Sequence, residues 1–193
     1  MPSESDLKKV EFSFTEEEKK QLFLIVRTAI KMKLDENKEY SVDINKISSK
    51  FKTPMGAFVT LKINGALRGC IGRFISADPL YEVVRASAIS SAFEDPRFSP
   101  LTKDEYRKTD IEITVLGPLK KINNIGEIVL GRHGIYIKKG RSAGTMLPQV
   151  ATENGWSVEE FLGYTSRDKA GIGWDGWKDA EIFIYEGVVL EEN

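Results

Sequence analysis

One cysteine and one histidine stand among 193 residues, and both sit in glycine-rich stretches: Cys70 in Leu67-Arg-Gly-Cys-Ile-Gly72 and His133 in Gly131-Arg-His-Gly134. A thiolate is the nucleophile of cysteine chemistry. It needs a base within about 3 Å and gains from a cationic neighbour. Arg68, two residues before Cys70, is the cation at hand, and His133 is the available base. Together they could attack a substrate whose negative charge Arg68 holds. Each residue also has a plainer reading. A free cysteine is usually a small buried hydrophobe, and a histidine in a turn is usually a solvated tip. Gly69 and Gly72 weaken a strand, and glycine there often marks close approach of a ligand or another backbone.

The elements that must position these residues can be read from periodicity. Ala57 to Ile63 alternates as a strand, Asn64-Gly65 is the strongest short hairpin signal, and Ala66 to Gly72 returns. A two-residue turn pairs Ile63 with Ala66, Leu61 with Arg68 and Val59 with Cys70. Paired residues share a face, so Arg68 and Cys70 are expected side by side among Val59, Leu61 and Ile63. A buried arginine requires a partner, and Glu112, on a strand from Asp110 to Gly117, is the candidate. Thr15-Glu16-Glu17-Glu18 is a capping box opening a helix over 16–33. Asp78-Pro79 starts a second helix, with Asp78 as N-cap and Pro79 at the first position. Its small residues, among them Ser87, Ser90, Ser91 and Ala92, predict close packing. Glu94-Asp95-Pro96-Arg97-Phe98 reads as a loop latching the helix end through Asp95 and Arg97. Thr102 and Glu105 cap one short turn.

The second half repeats the order. Ile135 to Lys138, a Lys139-Gly140 turn and Arg141 to Leu147 form a hairpin; helical segments follow Pro148 and Ser157; a strand from Glu181 to Leu190 ends the chain. Hairpin, helix and strand occurring twice point to a duplicated β-β-α-β unit. The fold class is therefore α+β, two-lobed, an antiparallel sheet with flanking helices. Residues 1–14 read as an N-terminal arm and 15–193 as one domain with two lobes.

Several function classes are excluded. Lys and Arg number 28 against 29 Asp and Glu, a net charge of −1 that argues against nucleic acid as a general partner. A single cysteine allows no internal disulfide and fits a reducing, cytoplasmic setting. The polar first ten residues are no signal peptide, and no apolar run approaches the ~20 residues of a membrane span. Gly171-Ile-Gly-Trp-Asp-Gly176 matches G-x-G-x-x-G but ends a helix rather than opening one, so it is no dinucleotide fingerprint. No phosphate-binding loop or hydrolase elbow occurs. One Cys and one His cannot build a Cys/His zinc site. No cofactor and no metal are expected. Trp156, Trp174 and Trp177 read as core or lobe-interface residues, and Lys138-Lys139-Gly-Arg141 as a solvated turn.

The hexapeptide Leu67–Gly72 resembles the signature of the AMMECR family, named for the Alport syndrome, midface hypoplasia and elliptocytosis chromosomal region. Gly56-Ala-Phe-Val-Thr-Leu61, Asp95-Pro-Arg-Phe98, Ile111-Glu-Ile-Thr-Val-Leu116, His133-Gly134 and Leu147-Pro-Gln-Val150 resemble family segments in the same order, across roughly residues 15–190. The resemblance implies a prokaryotic stand-alone member with a two-lobed antiparallel fold. It supplies no reaction. It implies an association with Memo-like and radical-SAM proteins, whose own metal sites this chain lacks. The motif maps onto Arg68, Gly69, Cys70 and Gly72. The expected function is thus a binding or adaptor component that docks a protein partner or small ligand around Arg68 and Cys70. The alternative is an enzyme with Cys70 as nucleophile, His133 as base and Arg68 as anion holder.

Overall fold

The computed structural model describes residues 12–192. Helix α1 (Glu16–Glu36) begins at the expected capping box: the Thr15 hydroxyl accepts from the Glu18 amide, and the Glu18 side chain reaches back to the Thr15 amide. Its apolar stripe, Leu22, Ile25, Val26, Ala29 and Ile30, is buried. The helix runs three residues past the expected end and stops at Asn37, whose left-handed conformation caps it. The arm expected over residues 1–14 lies, for residues 1–11, outside the described residues. Phe14, at its end, is part of the core, with Phe12 packed edge-on against it.

Strands β1 (Gly56–Ile63) and β2 (Ala66–Arg73) form the first hairpin around Asn64-Gly65, both with positive φ. Helix α2 (Leu80–Phe93) starts one residue later than expected. Pro79 takes the N-cap position, the Leu80 amide donates to the Thr53 carbonyl, and Asp78 pairs with Arg73 instead of capping. A short helix α3 (Lys103–Tyr106) carries the second capping box. Strands β3 (Thr109–Leu116) and β4 (Lys120–Ile122) follow.

The second hairpin joins β5 (His133–Lys139) to β6 (Ser142–Met146), and its turn is Gly140-Arg141, one residue beyond the expected pair. Helices α4 (Pro148–Glu153) and α5 (Val158–Tyr164) precede a π-helical turn at Thr165–Lys169, and β7 (Glu181–Glu191) closes the chain. Gly171 and Gly173, both at positive φ, end this helical run, as expected of a turn rather than a phosphate loop. Trp156 stacks on Tyr164 at 4.1 Å and, like Trp177, packs against the second core.

The sheet order is β2-β1-β3-β7-β5-β6, antiparallel throughout, with β4 also pairing β7. The order is a palindrome of two like units, β2-β1-β3 and β6-β5-β7, which meet through their third strands. This is the repeated hairpin–helix–strand topology read from the sequence.

Alternation then sorts the side chains. Val59, Leu61, Ile111, Ile113, Val115 and Leu190 join α1 and α2 in one core, while Ile135, Ile137, Ile182 and Ile184 join the second-half helices in another. Both cores lie on the same face of the sheet. The other face is concave. Phe74, just past β2, meets Tyr136 of β5 at 5.4 Å and Tyr185 of β7 at 5.0 Å, so the sheet curls until its first strand approaches its later ones. Among the described residues no helix is long and apolar enough to cross a membrane.

Candidate functional site

The first hairpin does not keep simple two-residue register. Ile63 faces Ala66 and Lys62 faces Leu67, but Leu61 faces Gly69, Thr60 faces Cys70 and Val59 faces Ile71. Arg68 is the extra residue of a β-bulge. The expected pairs Leu61–Arg68 and Val59–Cys70 are therefore incorrect. A one-residue slip moves a side chain to the other face, and Cys70 leaves the apolar side for the concave one.

On that face the thiol is partly exposed, and its sulfur accepts a hydrogen bond from the Thr60 hydroxyl at 3.3 Å. Thr60 in turn pairs with Glu112, and Glu112 with Glu191, so these residues form one row across β2, β1, β3 and β7. Lys62 ties into the row through Glu112 at 2.8 Å. Phe58, Thr114 and the half-exposed Val189 continue the same face.

Arg68 does not share this environment. Its guanidinium turns into the protein, grips the Glu105 carboxylate through Nε at 2.9 Å and Nη2 at 3.0 Å, donates to the Ser99 carbonyl, and lies over the Phe98 ring. Glu112, the expected partner, is taken by Lys62. Glu105 thus serves twice, closing the capping box at Thr102 and holding Arg68. Arg68, followed by the Thr102 amide, lowers the Glu105 carboxyl to about 2.

The two glycines have a packing explanation. A Cβ on Gly69 would sit 2.1 Å from the Ser91 carbonyl oxygen, and one on Gly72 would sit 2.3 Å from the Ala57 carbonyl oxygen. Protein backbone already occupies those spaces. Helix α2 comes this close because Ser91, 1% exposed, enters the ladder itself. Its hydroxyl accepts from the Ile71 amide at 2.8 Å and donates to the Val59 carbonyl at 2.7 Å.

The 95–98 loop seals the outer edge of β2. The Asp95 carboxylate accepts the Cys70 amide at 2.9 Å, and Arg97 donates to the Cys70 carbonyl at 3.2 Å. Asp95 also takes the Arg97 guanidinium and amide. Arg97 first, and the Cys70 amide second, hold this carboxyl far below the usual range.

His133 is not a turn tip. Strand β5 starts at this residue, which is 9% exposed, and its Nδ1 accepts from the Val129 amide at 3.1 Å. It faces Glu186, whereas Glu191, in the Cys70 row, has the opposite parity along β7. Cys70 and His133 therefore project from opposite faces of the sheet, and the structure does not bring them together. His133 instead lines a cavity of about 600 Å³ on the core side, with Phe12, Val129, Arg132, Ile184 and Glu186. Among the described residues no group of three or more His, Cys, Asp or Glu side chains is placed to hold a metal.

Sequence reasoning missed Thr60, Ser91 and the double use of Glu105. The glycine pair was a usable signal for the bulge, and the run of small residues on α2 for the intruding serine.

Comparison with known proteins agrees with this architecture. The family model for AMMECR1 matches residues 23–190. The chain is similar to Protein NEQ441 of Nanoarchaeum equitans, 41% identical over 82% of this chain and 92% of that one. A protein of Aquifex aeolicus is 42% identical over 81% of this chain and 84% of its own. The crystal structure of the uncharacterized protein PH0010 from Pyrococcus horikoshii superposes with a TM-score of 0.75 at 34% identity, covering 93% of this chain and 94% of that one.

Proposed function

Because this chain belongs to the AMMECR1 family, we propose that it is a binding or adaptor component whose concave face around Cys70 docks a protein partner. The Memo-like and radical-SAM proteins implied by the family resemblance are the partners put forward, and the cytoplasm, which suits a lone thiol, is the setting. One observation carries the reading: Cys70 stands partly exposed, beside a hydroxyl rather than a base, on the face that carries neither helical core. The half-buried Phe58 and the exposed Val189 give that face apolar anchors, and Lys62 with Glu112 gives it a polar border, the usual anatomy of a protein contact. Arg68 supports it from behind by fixing the bulge on Glu105.

The enzyme alternative, with Cys70 as nucleophile, His133 as base and Arg68 as anion holder, needs a thiol–imidazole contact of about 3 Å. Strand alternation opposes that contact, and Glu105 already engages Arg68.

Calorimetric titration with a purified Memo-like protein and with a radical-SAM protein tests the proposal. Binding by at least one of them, weakened about tenfold or more by Val189→Lys but not by Leu24→Lys on the outward face of α1, is expected. Absence of binding to both, or equal binding by Val189→Lys, would count against it.

A further inference from the structure

The concave face of the first half has two unlike ends. Toward Gly72 it is apolar: Phe58 pairs with Thr114, and Thr114 with Val189, which is 51% exposed. Toward the Asn64-Gly65 turn it is acidic. Glu112 of β3 stands directly opposite Glu191 of β7, and one row further Asp110 stands opposite Lys62 of β1. Alternation puts these four side chains on the concave side, because Leu61, Ile111, Ile113 and Leu190 beside them belong to the core. The Lys62 ammonium is engaged by Glu112 at 2.8 Å. Glu112 first, then the fields of Glu191 and Asp110, hold Lys62 above the usual lysine range, so all three carboxylates act at one ammonium. Three negative groups against one positive leave two negative charges in excess at this corner, in a chain whose whole net charge is −1. Like charges directly opposite on neighbouring strands destabilise a sheet. Glu192 shows the contrast, since Arg27 of α1 neutralises it.

We propose that the partner docked on this face presents a basic segment, with lysine or arginine side chains that pair with Glu191 and Asp110 beside apolar side chains that cover Val189 and Phe58. This rests on the docking reading above and adds the partner's chemistry to it. Complementarity selects the occupant. A neutral or acidic segment laid on the apolar row would desolvate the neighbouring carboxylates without pairing them, which costs binding energy. A basic one relieves the repulsion between Glu112 and Glu191 that the free protein carries. A bare metal ion fits less well, since among the described residues no group of three or more His, Cys, Asp or Glu side chains is placed to hold one.

The test titrates the protein into a short fluorescent peptide of Lys, Leu and Thr, and into its counterpart with Glu in place of Lys, reading anisotropy. Wild type is expected to prefer the lysine peptide. Glu191→Lys, at an exposed position, should weaken that binding about fivefold. The double variant Asp110→Lys/Glu191→Lys should reverse the preference to the glutamate peptide, a result that mere misfolding does not give. Glu153→Lys, the same charge change on exposed α4, should leave it intact. If the double variant does not fold, Glu191→Lys against Glu153→Lys decides. No preference in wild type, or equal weakening by Glu153→Lys, would overturn the proposal. The two readings fail separately. Protein partners that Val189→Lys releases but Glu191→Lys does not would leave docking on this face standing and overturn the basic segment.

Discussion

The two halves solve one problem in different ways. Each has an edge strand with a glycine facing its own core: Gly69 on β2 opposite Leu61, and Gly144 on β6 opposite Ile137. In each, backbone from a helical segment presses onto that glycine. The Cβ of a residue at 69 would meet Ser91 O at 2.1 Å, and one at 144 would meet Ala170 N at 2.4 Å. The second half covers its edge region with the π-helical turn and the backbone after it. The first half brings in a helix, inserts a serine hydroxyl into the ladder, bulges at Arg68 and closes its edge with two side chains. Backbone cover is stiff and chemically plain. Side-chain cover leaves a partly exposed thiol on the concave face, backed by the buried Thr60 hydroxyl, which is why the first half is the one read as the working half.

The comparison is broken most severely at its glycines. Gly69→Ala and Gly144→Ala should each lower stability by about 3 kcal/mol, because backbone rather than a flexible side chain must move; thermal unfolding of both measures whether the halves are equally tight. Next comes Ser91→Ala, which leaves the Ile71 amide and Val59 carbonyl without their bridge. A loss of about 2 kcal/mol in chemical denaturation is expected. A loss near zero would mean that β1 and β2 re-pair directly.

The Arg68–Glu105 pair gives the first half a pH signature; in the second half Glu127, Glu160, Asp168 and Glu181 are lowered as well, by Lys120, the Ser157 amide, Arg167 and Lys121 respectively. The Glu105 carboxyl is lowered from 4.5 to about 2 by Arg68 and the Thr102 amide. The unfolded chain therefore takes up this proton first as pH falls. The stabilisation is complete above about 4.5 and is lost on descending toward 2. Denaturation series should show wild type losing stability across that window relative to Glu105→Gln. Parallel curves would show that the pair contributes nothing. The smallest effect is Thr60→Val, about 0.5 kcal/mol, since the lost hydrogen bond ends on sulfur and the site is partly open.

Much of this was legible beforehand. The capping boxes at Thr15, Thr102 and Ser157 all form, as does the turn at Asn64-Gly65, because such local hydrogen bonds depend on neighbours in the chain. The duplicated topology was legible for the same reason. The register of β2 was not. A bulge is set by how closely α2 must pack and by the hydroxyl that intrudes at Ser91, both products of tertiary contact. The partner of Arg68 was misread because adjacency in the sheet favoured Glu112, whereas a bulged residue escapes the sheet and reaches the loop beside it. His133 was misread because β5 begins two residues earlier than its alternation announced.

Alkylation of Cys70 between about pH 6 and 9, in wild type and in His133→Gln, tests most directly whether the thiol works apart from the imidazole. Superimposable rate profiles are predicted, because the two groups project from opposite faces of the sheet. A profile that slows or shifts when His133 is replaced would contradict that separation and restore the nucleophile–base pair.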